Sequence, residues 1–171
     1  MPQELALPAI KRLVPCLWFD SEAEEAARFY VGVFPDSRIA HVARYPEAGQ
    51  EIHGRPAGSV MTVAFELAGQ PFTALNGGPV FKFNEAVSFQ VECETQRDID
   101  HFWEKLGEGG DPRAQQCGWL KDRFGLSWQV EPSGMEEMFA DPASAATQRA
   151  MSAMLQMKKM DIGALRRAYA G

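Results

Sequence analysis

Histidine and cysteine are scarce in this chain, and neither is spaced for metal binding or cross-linking. The three histidines, His41, His53 and His101, stand far apart, and none falls in an HxH or HExxH pattern. The three cysteines, Cys16, Cys93 and Cys117, are odd in number with no paired spacing, which argues against a disulfide scaffold. Cys16 and Cys93 sit in apolar, strand-like runs and read as reduced core thiols. Positive charge is in the minority: 17 Lys and Arg against 23 Asp and Glu leave a net charge of −6. Such a chain repels phosphate backbones and anionic lipid, so neither a nucleic-acid nor a membrane partner is expected. No apolar run approaches the length of a membrane span. The opening residues, MPQELALPAIKRLVP, have no apolar stretch behind a basic start and do not read as a secretory signal, so a cytoplasmic location is expected.

What is present suits a globular α+β protein. The 171 residues are 46% hydrophobic, enough for one domain over 1–171 with a real core. Residues 13–20, LVPCLWFD, read as a buried strand, and a helix follows from Ser21 to Val33 with Glu22 and Glu24 at its positive end. Residues 38–45 read as a second strand and 46–58 as a loop. Residues 59–68, SVMTVAFELA, alternate strictly, with Met61, Val63, Phe65 and Leu67 on one face. Gly69-Gln70 turns into a fourth strand, PFTALN, stopped by Gly77-Gly78-Pro79.

The order then begins again. AVSFQVEC, residues 86–93, reads as a strand. Thr95 with Asp98 in the capping-box position opens a helix to Leu106. Residues 114–121 and 125–131 read as strands around the turn Asp122-Arg123-Phe124-Gly125. The halves superpose: Leu17 and Phe19 on Phe89 and Val91, Phe29-Tyr30 on Phe102-Trp103, and Gly69-Gln70-Pro71-Phe72 on Gly125-Leu126-Ser127-Trp128. Three matches in the same order, each on an equivalent element, point to an internal duplication. The modules span about 13–78 and about 86–132, with a helical tail over about 134–171. In that tail Asp141-Pro142 starts a Met-rich helix over 142–159, and Asp161 caps a last helix to Tyr169. Met151, Met154, Leu155 and Ile162 are its candidate buried stripe, and the tail is also a candidate packing surface for a partner subunit.

Three stretches carry a family likeness: VPCLWFDSEAEEAARFYVGVFPDSRI, FTALNGGPVFKFNEAVSFQVECET and QCGWLKDRFGLSWQVEP. They resemble the PhnB-like branch, also called the 3-demethylubiquinone-9 3-methyltransferase domain family, of the glyoxalase/bleomycin-resistance/dioxygenase (vicinal oxygen chelate) superfamily. The likeness covers about Leu13 to Pro132 and extends into the tail through MSAMLQMKKMDIGAL. It implies two βαβββ modules plus C-terminal helices, a homodimer, and a concave sheet around a small-molecule cavity. Metal-dependent members hold a divalent ion with inward-facing His, Gln or Glu from the first and last strands of each module. The matching positions here are Val14, Ala86, Thr73 and Gln129, of which Gln129 alone is a ligand type, with Glu131 a possible substitute on the same face. No metal and no other cofactor is therefore expected. A methyltransferase using S-adenosylmethionine would normally show a Gly-rich turn between a strand and a helix. Gly77-Gly78 precedes a proline and Gly109-Gly110 follows a helix, so neither has that context.

Strand alternation assigns the cavity face. Leu17 and Phe19 should lie under the helices, leaving Cys16, Trp18 and Asp20 toward the cavity. Thr73 and Leu75 face it from the fourth strand, Ser88 and Gln90 from the second module, and Ser127 and Gln129 from the last strand, with Trp119 at the rim. A few polar groups among aromatics suit a compact organic ligand. The same residues also admit plainer roles. Trp18 and Trp119 suit core or dimer packing, and Gln90 and Gln129 suit mutual hydrogen bonding. Cys16 as a nucleophile lacks a base. Asp122 suits a turn, and Asp20 suits either proton transfer or capping of the first helix. No catalytic residue is assigned. The expected function is binding of a small organic molecule without a tightly bound metal. The alternatives are a metal-dependent lyase, isomerase or dioxygenase with an altered ligand set, methyl transfer as the family name suggests, and an interaction module working through the tail.

Overall fold

The computed structural model describes residues 9–171. Pro8, expected just ahead of the first strand, and the first part of the opening segment read for a signal lie outside the described residues. The chain forms two compact units, Met1–Phe81 and Lys82–Gly171.

The first unit runs β1 (Cys16–Phe19), α1 (Ala23–Val33), β2 (Arg38–Arg44), a short α2 (Gln50–His53), β3 (Val60–Leu67) and β4 (Gln70–Asn76). The strands make one sheet in the order β1-β4-β3-β2, with β1 parallel to β4 and the other pairs antiparallel. Alternation decides its faces, because successive side chains point to opposite sides. Leu17, Phe19, Val63, Phe65, Phe72 and Ala74 are buried, together with Ala23, Ala26, Ala27 and Tyr30 of α1. Tyr30 stacks on Phe65 at 6.3 Å and Phe65 on Phe72 at 5.4 Å. The small alanines of α1 let the helix approach the sheet closely, and the aromatic column fills the space between. The opposite sheet face, with Cys16, Trp18, Thr73 and Leu75, is exposed or half-buried.

α1 starts at Ala23, two residues later than Ser21, and Glu22 at its N-cap makes no side-chain cap bond. The cap comes from the far end of the unit: Asn76 Oδ1 accepts from the Ala23 N–H at 2.8 Å, while Asn76 Nδ2 donates to the Val60 carbonyl at 3.1 Å. One buried amide thus satisfies a helix-end donor that local sequence leaves open.

The second unit runs β5 (Ser88–Cys93), α3 (Gln96–Gly107), β6 (Trp119–Lys121) and β7 (Ser127–Pro132), then α4 (Met135–Met138), α5 (Ala145–Met154) and α6 (Ile162–Ala170). Its sheet has the order β5-β7-β6, again with the first pair parallel. The Thr95–Asp98 capping box of α3 is complete. β6 is much shorter than the strand expected over 114–121. Pro112 opens a 3-10 turn over Pro112–Ala114 whose Arg113 N–H is taken by Asp111, and Cys117 turns the chain at φ 49°. Proline has no N–H for a ladder and the left-handed residue breaks extension. Asp122 serves the turn, and more: it is 3% exposed, accepts from the Phe124 and Leu126 N–H groups, and takes the Trp128 indole N–H at 2.8 Å.

The second unit repeats the strand-helix-strand order without a counterpart of β2, and its strand register differs. Matching residue by residue would set Ser88 beside Gln129, yet Ser88 pairs with Ser127 and Gln90 with Gln129. The slip is two residues, so every side chain keeps its face.

The tail differs from expectation. The helix over 142–159 is interrupted: α5 ends at Met154 and residues 155–161 are irregular. Those residues attach to their own unit. Cys117 and Gly118 N–H groups donate to the Met157 and Lys158 carbonyls, and Gln96 bridges the Met160 carbonyl and the Ile162 N–H. The proposed stripe is only partly right. Ile162 is buried, but Met151 and Leu155 are exposed, and α5 buries Thr147 and Ala150 instead. Met160 and Leu165, each 1% exposed, carry the packing. Among the described residues no helix is long and apolar enough to cross a membrane.

Candidate functional site

The first unit presents Cys16, Trp18, Thr73 and Leu75 on the open face of its sheet and the second Ser88, Gln90, Trp119 and Gln129, whereas Ser127, also expected at the cavity, is buried. In the first unit β1 and β4 are in register, so Cys16 lies beside Thr73 and Trp18 beside Leu75. Ala64 continues the first row on β3, so that row carries only small side chains. Trp18 is fixed rather than free: its indole N–H donates to the Gly78 carbonyl at 2.8 Å and its ring meets Phe81 edge-on at 5.0 Å. Gly77 makes this possible, because a Cβ there would fall 2.1 Å from the indole Cζ2. The Asn76-Gly77-Gly78 run therefore caps a helix and seats an aromatic wall. A ring held this way offers area at little entropic cost.

In the second unit Gln129 stands between Gln90 on β5 and Trp119 on β6. Its amide does not bond Gln90. Gln129 Nε2 donates to Ser88 Oγ at 2.8 Å, leaving the carbonyl Oε1 for other partners. Ser127, in the neighbouring row with Ser88 and Lys121, is 1% exposed and its hydroxyl has no hydrogen-bond partner among the described residues. Lys121 is paired with Glu85. Glu131 shares the Gln129 face and pairs across the sheet with Glu92. Burial, then the Glu92 and Glu136 carboxylates, push the Glu131 carboxyl above its ordinary range.

The candidate chemical groups resolve as follows. Cys16 is exposed, and partial burial pushes its thiol up, which works against a resting thiolate. Asp20 neither caps α1 nor stands unpaired: Arg55 Nη2 donates to its carbonyl oxygen at 2.9 Å and to Oδ1 at 3.3 Å. Asn76, Arg55 and Phe81 escaped the sequence reading. An Asn before Gly-Gly is a usable signal for a tertiary cap, whereas nothing local distinguishes Arg55 in its loop.

The divalent ion common in the superfamily does not fit these residues. Among the described residues no group of three His, Cys, Asp or Glu side chains is arranged to hold a metal ion. Val14 and Ala86, matched to first-strand ligand positions, lie ahead of β1 and β5. Gln129 commits its NH2 to Ser88, and a metal would need further N or O ligands at that point.

Residues 11–131 match the family described as 3-demethylubiquinone-9 3-methyltransferase. The chain belongs to this PhnB-like family. A solved PhnB protein from Bacillus cereus, given the same methyltransferase description, is 33% identical with a TM-score of 0.61, over 72% of this chain and 100% of that one. Protein PA1353 from Pseudomonas aeruginosa is similar at 18% identity and TM-score 0.53, covering 71% of this chain and 98% of that one. The fosfomycin resistance protein FosX from Mesorhizobium loti shares the fold at 17% identity and TM-score 0.53, over 78% and 100%. A search of curated proteins gave no match. Together these place the chain in the PhnB-like family, with a mixed α+β fold of two small sheets and C-terminal helices, a fold similar to that of FosX.

Proposed function

We propose that this PhnB-like protein binds a compact organic molecule on the open faces of its sheets, without a resident divalent ion. The observation that carries this reading is the fixed Trp18 wall, pinned by Gly78 and Phe81 on the sheet face that also carries Cys16, Thr73 and Leu75. A rigid aromatic surface on an open sheet face has the form of a recognition surface for a flat or apolar group. On the second sheet Gln129 Oε1 and the Ser88 hydroxyl supply orienting polar atoms, with Trp119 beside Gln129. The donor set supports the absence of a resident ion. Gly77 and Gly78 are engaged by Trp18 rather than opening a helix, which weighs against methyl transfer from a nucleoside cofactor.

The working unit in this reading is a homodimer, supported by the exposed large apolar side chains Leu13, Val80, Phe81 and Val87. Native mass spectrometry with elemental analysis on the same chelator-free sample tests the proposal. The expected result is a dimer with far less than one metal per subunit. One tightly held divalent ion per subunit would overturn it and favour a metal-dependent enzyme with an altered ligand set.

A further inference from the structure

A second concave site lies wholly within the first unit, around the exit of β1 and the first turn of α1. It is a cleft of about 350 Å³ lined by Ser21, Glu24, Arg55, Ser59, Val60 and Asn76 among others. That volume is in the range of small-molecule sites. We propose that this cleft binds a compact zwitterion of the amino-acid type, with its carboxylate on Arg55 and its ammonium on Glu24.

Arg55 is built in rather than draped over the surface. Its backbone N–H donates to His53 Nδ1 at 3.0 Å, the His53 ring packs on Tyr45 at 4.6 Å, and the Tyr45 hydroxyl donates to the Asn76 carbonyl at 2.7 Å. The guanidinium passes so close to Gly78 that a Cβ there would come to 2.7 Å from Nη2. Its side chain is 23% exposed, and both of its contacts, to the Asp20 carbonyl and carboxylate, are made by Nη2. Nε and Nη1 have no acceptor among the described residues. A largely desolvated cation with unused donors gains most from an anionic acceptor.

Glu24 supplies the opposite charge. Arg28 holds only Glu24 Oε1, at 2.7 and 3.2 Å, so among the described residues Oε2 is left over. Ser59 donates its hydroxyl hydrogen to the Pro56 carbonyl at 2.6 Å, and its oxygen is thereby turned into an acceptor suited to an ammonium. Asn76 takes no part in recognition, since both ends of its amide are used. The surrounding charge selects the ligand class. The lining carries one charged side chain of each sign, so a bare anion meets Glu24 and a bare cation meets Arg55. A ligand with both charges meets each with its complement.

The test is an NMR titration of the full-length, nitrogen-15-labelled protein with L-alanine, and separately with propionate and ethylammonium, which carry its two charges singly. Alanine should give saturable shifts at the Arg55 Nε–H and at the Ala23 and Ser59 amides. Each single-charge probe should bind at least about ten-fold more weakly. Arg55→Gln should weaken alanine by about ten-fold or more. Glu24→Gln leaves the Arg55–Asp20 contacts in place, so it remains informative if the first variant loosens the loop. It should abolish the preference for alanine over propionate. Absence of saturable shifts, propionate binding as tightly as alanine to the unaltered protein, or alanine binding unchanged in both variants would overturn the proposal.

Discussion

Gly77→Ala is the sharpest probe of the aromatic wall. Gly77 is not among the glycines at positive φ, so alanine brings no backbone strain there, and its whole cost must come from Trp18. The added Cβ would lie 2.1, 2.3 and 2.4 Å from indole Cζ2, Cε2 and Cη2. Carbon atoms rest at about 3.5–4.0 Å, so the ring must retreat by about 1.5 Å. That breaks the indole bond to the Gly78 carbonyl, worth about 0.5–1.5 kcal/mol, and the edge contact with Phe81, worth about the same. The expected destabilisation is about 1–3 kcal/mol, or about 2–4 °C in Tm per kcal/mol for a chain this long. Urea unfolding followed by circular dichroism measures it. A double-mutant cycle with Trp18→Ala isolates the cause, since the three atoms nearest the new methyl all belong to the indole. The coupling should equal nearly all of the Gly77→Ala cost. If the two substitutions are additive, the glycine is not there for the tryptophan and the account of the wall fails.

Four further outcomes are expected. Asn76→Ala should cost about 2–4 kcal/mol in urea unfolding, because it strips a helix cap and leaves the Val60 carbonyl without its partner. Met160→Ala should cost about 2–5 kcal/mol, as Met160 is 1% exposed and its loss opens a cavity against Gly118. Glu131→Gln should raise Tm at pH 7 and give no gain near pH 3. The raised carboxyl makes the folded state the tighter proton binder, so the glutamate's relative stability is full at low pH and falls as pH rises from the ordinary glutamate range through the folded value. In thiol labelling of the folded protein, exposed Cys16 should react first. Cys93, 2% exposed and pushed up to about 11 by burial, should stay silent until unfolding, and fast labelling of Cys93 would contradict the core assignment.

The linear sequence determined what local pattern controls. Alternation in β1 and β3 set Leu17, Phe19, Val63 and Phe65 inside. The Thr95-to-Asp98 spacing set the start of α3, and repetition of strand, helix and strands disclosed the doubled fold. These follow from backbone geometry within a few residues. Tertiary structure decided what depends on distant partners. The cap of α1 comes from Asn76, the pin on Trp18 from Gly78, and the partner of Asp20 from Arg55. In the second sheet the register set Gln129 beside Gln90, yet its amide bonds Ser88 one pair along the strand. The tail closes on its own unit through Met160 and the carbonyls of residues 157 and 158, where helical periodicity had suggested Met151 and Leu155. A hydrogen bond across 53 residues and a choice between registers of equal facing leave no periodic trace, so only the packed chain selects among them.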